Sequence, residues 1–232
     1  MIDIYTIKRL KKLDTPTVCN ALEMIEPERR SFGFTTEQFF CLHPNQLSIV
    51  GLAKTATVRS VYPSEETNKQ IIEKRVNYYM YVSKGDLPKI SIMQDLDGTK
   101  AGNGAFWGTF NSNIHRALNC EGVITDGAIR DLGKIPKGFQ MIAKCVRPSH
   151  GYIHIVDFKI QVNVCSMIVN DGDLVHADLH GAVCFPTTMA KEVLKAAKEF
   201  IESERPVILA CNEKGVKIDR IIDIYRGRTF NK

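Results

Sequence analysis

The segment Glu121-Gly-Val-Ile-Thr-Asp-Gly-Ala-Ile-Arg-Asp131 constrains this chain most. Gly122 to Thr125 is short, apolar and partly β-branched, the pattern of a buried strand. Asp126-Gly127 reads as a tight turn, and Arg130-Asp131 follows at once. A buried strand that delivers charged groups at its end fits an α/β sheet, because such sheets place ligands at strand termini. The guanidinium of Arg130 can grip a carboxylate through two parallel hydrogen bonds, and the Asp131 carboxylate can hold a hard divalent cation. The competing reading is a helix start, with Asp131 near the N-terminal dipole and Arg130 in water.

The flanking patterns place this strand in a mixed α/β chain. Asp14-Thr15-Pro16 supplies a capping side chain and an early proline, and Val18, Ala21, Leu22 and Ile25 then recur on one helical face up to Pro27. Ser31 to Asn45 has no stable period. Ile49 to Val61 alternates as a half-buried strand, and Glu65 to Val82 has helical spacing at Ile71, Ile72, Val76, Tyr79 and Met80. A strand over Lys89–Met93, a glycine-rich stretch from Gly98 to Gly108 and a helix over Phe110–Leu118 come next. Further strands are predicted at Phe139–Cys145, Tyr152–Phe158, Ile160–Val164, Leu174–Ala177 and Ala182–Phe185, with turn chemistry at Asn170 to Asp173. A long amphipathic helix runs from Pro186 to about Ser203, and Pro206 to Ala210 reads as a last strand.

Composition narrows the function classes. Charged residues make up 25% and hydrophobic ones 44%, so a chain of 232 residues can bury one sizeable core. The net charge of +5 is spread among acidic residues, a weak basic bias that favours anionic small molecules; nucleic-acid binding, which needs a continuous basic stripe, is not expected. The seven cysteines show no C-x-x-C spacing, which argues against a zinc or disulfide framework. No window approaches a membrane span, and the N-terminus lacks the features of a signal peptide, so the expected location is the cytoplasm.

Three stretches carry a family resemblance. Trp107 to Asp131, Gly172 to Pro186 (GDLVHADLHGAVCFP) and Ile49 to Thr57 resemble, in order, the conserved segments of the RraA-like family, which includes 4-hydroxy-4-methyl-2-oxoglutarate aldolases and RraA regulators of RNase E. Leu13 to Leu22 resembles that family's opening, with Asn20 where Asp is common. The resemblance implies a β/β/α barrel-like core of the swivelling-domain type with flanking helices. It implies one domain over residues 1–232: N-terminal helices to about 30, a core from about 47 to 205, and a basic tail from about 206 to 232. It further implies homotrimers or hexamers with sites at subunit boundaries.

Carried over residue by residue, the resemblance makes Arg130 the holder of a small 2-oxo acid's carboxylate and Asp131 the holder of Mg²⁺ or Mn²⁺. A backbone cradle for the same substrate falls on Gly108, Thr109, Phe110 and Asn111. The implied activity is a metal-assisted carbon–carbon lyase, an aldolase or a decarboxylase, working through a pyruvate enolate. The chain departs from the pattern at one catalytic position: the aldolase acid falls on Thr109, and its accompanying glycine on Ala105. A hydroxyl cannot replace a carboxylate as base, so either another group serves or the chain is a catalytically silent regulator that binds a protein partner. Histidines are the candidate substitutes: His150, His154, His176 and His180, with His115 on the helix after Thr109. On a strand, His176 and His180 would share one face.

Overall fold

The computed structural model describes residues 2–227. Helix α1 (Ile4–Leu10) starts where Asp3 accepts the Thr6 amide at 2.7 Å, and α2 (Thr15–Ile25) where Asp14 accepts the Thr17 amide at 2.8 Å. Each cap satisfies a donor the helix itself leaves open. The irregular segment that follows holds only the short strand β1 (Phe40–Cys41) before the long strand β2 (Ile49–Arg59). Helix α3 (Asn68–Val82) starts later than its apolar period suggests, because Thr67 and Gln70 form a reciprocal capping box there.

Strand β3 (Lys89–Asp95), the short β4 (Ala105–Trp107), helix α4 (Thr109–Ala117) and strand β5 (Cys120–Ile129) build the centre. Strands β6 (Gln140–Val146), β7 (His154–Phe158), β8 (Val162–Val164), β9 (Met167–Val169), β10 (Leu174–Asp178) and β11 (Gly181–Phe185) follow. The chain closes with α5 (Ala190–Cys211) and α6 (Ile218–Arg226).

One sheet runs in the order β1-β6-β5-β3-β2-β10-β11, with β4 added to β5 and β7 to β2. Its centre is parallel (β2, β3, β5 and β6) and its flanks are antiparallel. The β8–β9 hairpin covers one face, packing Val162, Val164 and Met167 against Ile92, Ile124 and Ile142. On the opposite face α3 and α4 bury Tyr78, Trp107, Val123 and Phe139. Helices α1, α2 and α5 form a third apolar cluster over β10 and β11. The architecture is therefore the mixed α/β arrangement read from the sequence.

Two expectations fail for physical reasons. Asp126-Gly127 is not a turn: the register with β6 shifts between Thr125 and Ala128, so both residues sit in a bulge while β5 continues to Ile129. Thr125 Oγ1 accepts the Gly127 amide at 2.9 Å, holding the kink. Likewise Pro206 to Ala210 is not a strand but the end of α5, which runs through Pro206. The basic tail expected from residue 206 is helical in α5 and α6, and residues 228–232 lie outside the described residues. No helix among the described residues is long and apolar enough to cross a membrane.

Candidate functional site

Because β5 carries on past its bulge, Arg130 and Asp131 emerge at its C-terminal end, beside the start of α4. The Arg130 amide donates to the Trp107 carbonyl at 2.8 Å, locking the strand end to β4. Asp131 then adopts a left-handed backbone (φ 59, ψ 35), which Asp tolerates better than most residues. That turn swings its carboxylate over the first residue of α4. Thr109 donates to Asp131 Oδ2 through both its amide (3.0 Å) and its hydroxyl (3.2 Å). These hydrogen bonds, the amide's foremost, hold the Asp131 carboxyl below the usual carboxylate range, so it stays ionised at neutral pH. Gly108 makes this approach feasible: a Cβ there would lie 2.6 Å from Asp131 Oδ2 and 3.0 Å from Arg130 Cγ.

Arg130 and Asp131 border a cavity of about 310 Å³ together with Gly108, Phe110, Asn111 and His150. Their side chains are 35% and 36% exposed, accessible to a ligand yet set in a wall. Arg130 Nε stands 3.9 Å from Asp131 Oδ2, and its terminal nitrogen reaches the Pro148 carbonyl at 3.4 Å. Asn111 is buried and committed: its amide donates to the Phe106 carbonyl at 2.5 Å, and its Oδ1 accepts from the Tyr79 hydroxyl at 2.6 Å. It can therefore shape the cavity wall but has little left to offer a ligand. Phe110 is exposed at the rim.

Arg75 is not among the residues that the sequence singles out. This residue comes from α3 into the same cavity, with its guanidinium over the buried Phe106 ring, 5.4 Å from the centroid. No hydrogen bond or ion pair among the described residues engages it. Nothing in its helical spacing could have revealed it, since a single Arg on an amphipathic helix is usually solvated. A larger depression of about 540 Å³ beside Leu42, His43 and Lys137 lies elsewhere and has no carboxylate among its described lining residues.

The histidines separate sharply. Only His150 faces the Arg130 cavity, whereas His154 borders another one with Arg59 and Tyr62. His115, on the inner face of α4, is buried between the Tyr78 hydroxyl (2.9 Å) and the Asn111 carbonyl (2.7 Å), and burial pushes its pKa down to about 4. His176 is buried against the Thr15 hydroxyl and the Leu10 carbonyl. The shared strand face expected for His176 and His180 is absent, because β10 ends at Asp178 and His180 folds back onto the Asp178 carboxylate at 3.1 Å. Asp178 also takes the Thr15 amide at 2.8 Å, so this segment ties α2 to the sheet.

Residues 15–184 match the family model described as RraA-like, Aldolase/RraA. The chain belongs to the RraA-like family. Among solved structures, this RraA-like chain is similar to an uncharacterized protein from Pseudomonas syringae pv. tomato (TM-score 0.73, 17% identity, covering 97% of this chain and 95% of that one). It is also similar to Streptomyces coelicolor RraAS2, described as an unusual member of the RNase ES inhibitor RraA protein family (TM-score 0.66, 20% identity, 88% and 97% covered). At such identities the likeness shows the fold. An uncharacterized protein of Methanocaldococcus jannaschii is 30% identical over 105 residues, 44% of this chain and 50% of that protein. The match thus spans half the length of that curated relative.

A cation in the RraA-like site would have a sparse protein shell. Among the described residues no group of three or more His, Cys, Asp or Glu stands ready to cage a metal. Asp131 Oδ2 is taken by Thr109, while no hydrogen bond among the described residues engages Oδ1. One free carboxylate oxygen beside a guanidinium suits a cation that completes its shell with water and with the oxygens of a bound acid. Mg²⁺ and similar hard cations tolerate such an arrangement.

Proposed function

We propose that this RraA-like protein is a divalent-metal-assisted carbon–carbon lyase, an aldolase or decarboxylase, for a small 2-oxo or hydroxy carboxylic acid. The observation that carries the reading is the pairing of an ionised carboxylate with two guanidinium groups, Arg130 and the unpaired Arg75, around one cavity. Two fixed cations against one anion favour an anionic ligand, and a planar guanidinium fits a carboxylate edge. A cavity of about 310 Å³ is the size of a small acid rather than of a nucleotide cofactor.

In this reading Arg130 binds and orients the substrate carboxylate, and Phe106 with Phe110 narrows the space around the rest of the acid. Asp131, through its free oxygen, would hold Mg²⁺ or Mn²⁺. When bound, such an ion supplies positive charge that stabilises an enolate. The Thr109 hydrogen bonds keep the carboxylate fixed before the ligand arrives, which limits reorganisation during reaction. Assembly into a homotrimer or a pair of trimers goes with the reading. The exposed stripe Ile72, Val76 and Met80 on α3 supports it as a surface that profits from being covered.

Purified protein loaded with Mg²⁺ should release pyruvate from oxaloacetate or from an aldol adduct of pyruvate, and Arg130→Gln should abolish it. Background pyruvate from metal-loaded wild type would rule the lyase out. Thr109 favours one rival: with no acid at that position, the chain would act as a silent regulator that binds a protein partner. Slowing of an RNase E-type endonuclease by the chain, together with no lyase activity, would decide for it.

A further inference from the structure

We infer that His150 is the general base of the aldol step, standing in for the carboxylate that Thr109 lacks; this rests on the lyase reading above. Cleaving an aldol adduct requires a proton to leave the hydroxyl next to the breaking bond. Among the described residues lining the cavity, Asp131 is a weak base held ionised by Thr109, and the two arginines are cations. Asn111 is a neutral amide, bonded at both its nitrogen and its oxygen, and is no base. Among these lining residues His150 alone carries an imidazole, the group that most often serves as a general base.

Its tautomer is set for that task. His150 Nδ1 lies 2.6 Å from the Gly151 carbonyl oxygen, and a carbonyl oxygen only accepts. Nδ1 therefore carries the hydrogen and Nε2 keeps its lone pair. No hydrogen bond among the described residues occupies Nε2.

The backbone beneath the ring is clamped on both sides. Gly104 has no room for a side chain, because a Cβ would stand 2.3 Å from the His150 carbonyl oxygen. Gly151 has φ +55, and a Cβ there would meet the Ser60 carbonyl at 2.6 Å. The Ala105 amide donates to the Ser149 carbonyl at 3.0 Å, and the Tyr152 amide to the Ser60 carbonyl at 2.9 Å. Ser60 Oγ in turn accepts the Gly104 amide at 3.0 Å, and Asp97 accepts the Ser60 amide at 2.6 Å. The glycine-rich stretch thus seats the loop that carries His150, a role its sequence did not announce.

The step balances without any added reagent. Nε2 of His150 takes the hydroxyl proton, the hydroxyl oxygen becomes the carbonyl of one product, and the breaking C–C bond leaves its electron pair as the enolate of the 2-oxo acid. The imidazolium then returns that proton to the enolate carbon. Decarboxylation of oxaloacetate forms the same enolate with no hydroxyl to deprotonate, so it does not need the base.

That difference supplies the test. The full chain with Mg²⁺ is assayed on 4-hydroxy-4-methyl-2-oxoglutarate and on oxaloacetate, as wild type, His150→Gln and His150→Asn. Aldol kcat should fall roughly 10²-fold in both variants with KM nearly constant, and added imidazole should restore part of it. Decarboxylation, in which no hydroxyl proton leaves, should fall far less than the aldol step, and oxalate should still bind. Aldol cleavage that persists in the variants overturns the assignment. So does parallel loss of both activities with oxalate binding, which would mark His150 as structural. A wild type that decarboxylates but cleaves no aldol overturns the base while leaving the lyase standing, and a wild type inert on both substrates removes both.

Discussion

Thr109 and Asp131 form one unit across 22 positions of sequence: both the amide and the hydroxyl of Thr109 donate to a single oxygen, Asp131 Oδ2, at 3.0 and 3.2 Å. Helix α4 has no side-chain cap of its own, since Gly108 precedes it. The end of β5 provides that cap instead. One oxygen of Asp131 therefore stabilises a helix, and no hydrogen bond among the described residues engages the other.

Removing this cap should be measurable. Asp131→Ala is expected to cost on the order of 1 kcal/mol, seen as a lower denaturant midpoint at constant slope, because α4 loses both a cap and a favourable charge at its positive end. Asp131→Asn retains an acceptor and should lose less. An Asp131→Ala protein as stable as wild type would show the cap to be idle.

Gly108→Ala should be worse for the site than its size suggests. Its Cβ would press on Asp131 Oδ2 at 2.6 Å, so the carboxylate must move. We expect a destabilisation of about 1–3 kcal/mol in chemical unfolding. Oxalate binding in the presence of Mg²⁺ should weaken in the same variant, since the displaced group is the proposed cation holder.

The two guanidinium groups should be separable by titration calorimetry with oxalate and Mg²⁺. Arg130→Gln is expected to weaken binding by roughly 10- to 100-fold, the worth of a charge-assisted carboxylate contact. Arg130→Lys should recover only part, because an ammonium cannot form the planar fork. Arg75→Gln should weaken binding less, as its guanidinium is partly occupied with the Phe106 face. Equal affinity in all four proteins would remove the anion site.

Stability should also respond to pH through the bulge of β5. Burial, opposed by the hydrogen bond from the Asp95 amide, pushes the Asp126 carboxyl up to about 7; the neighbouring Asp95 is raised as well, also by burial. The folded chain thus holds this proton more tightly than the unfolded one, whose Asp titrates near about 4. The associated stability is full below that value and drains away as pH climbs toward about 7. Asp126→Asn, which keeps an oxygen for the Asp95 amide, should raise the melting temperature at pH 8 by roughly 2–4 °C and change little near pH 4. A rise of the same size at both pH values would mean that charge is not the cause.

Much of this protein was written locally. Asp14 with Pro16 marked the start of α2, the short apolar run before Asp126 marked a central strand, and the order of segments gave the mixed α/β class. The same run also put Arg130 and Asp131 at a strand end. Such features depend on periodicity and on capping groups a few residues apart, so a sequence displays them directly. Tertiary structure alone decided that β5 continues through a bulge, that Thr109 is spent on Asp131, that Arg75 enters from α3, and that His150 rather than His115 or His176 meets the cavity. The reason is physical: these outcomes depend on strand register and on close approaches such as Gly104 to His150. They are fixed by packing between segments tens of residues apart, for which no local pattern exists.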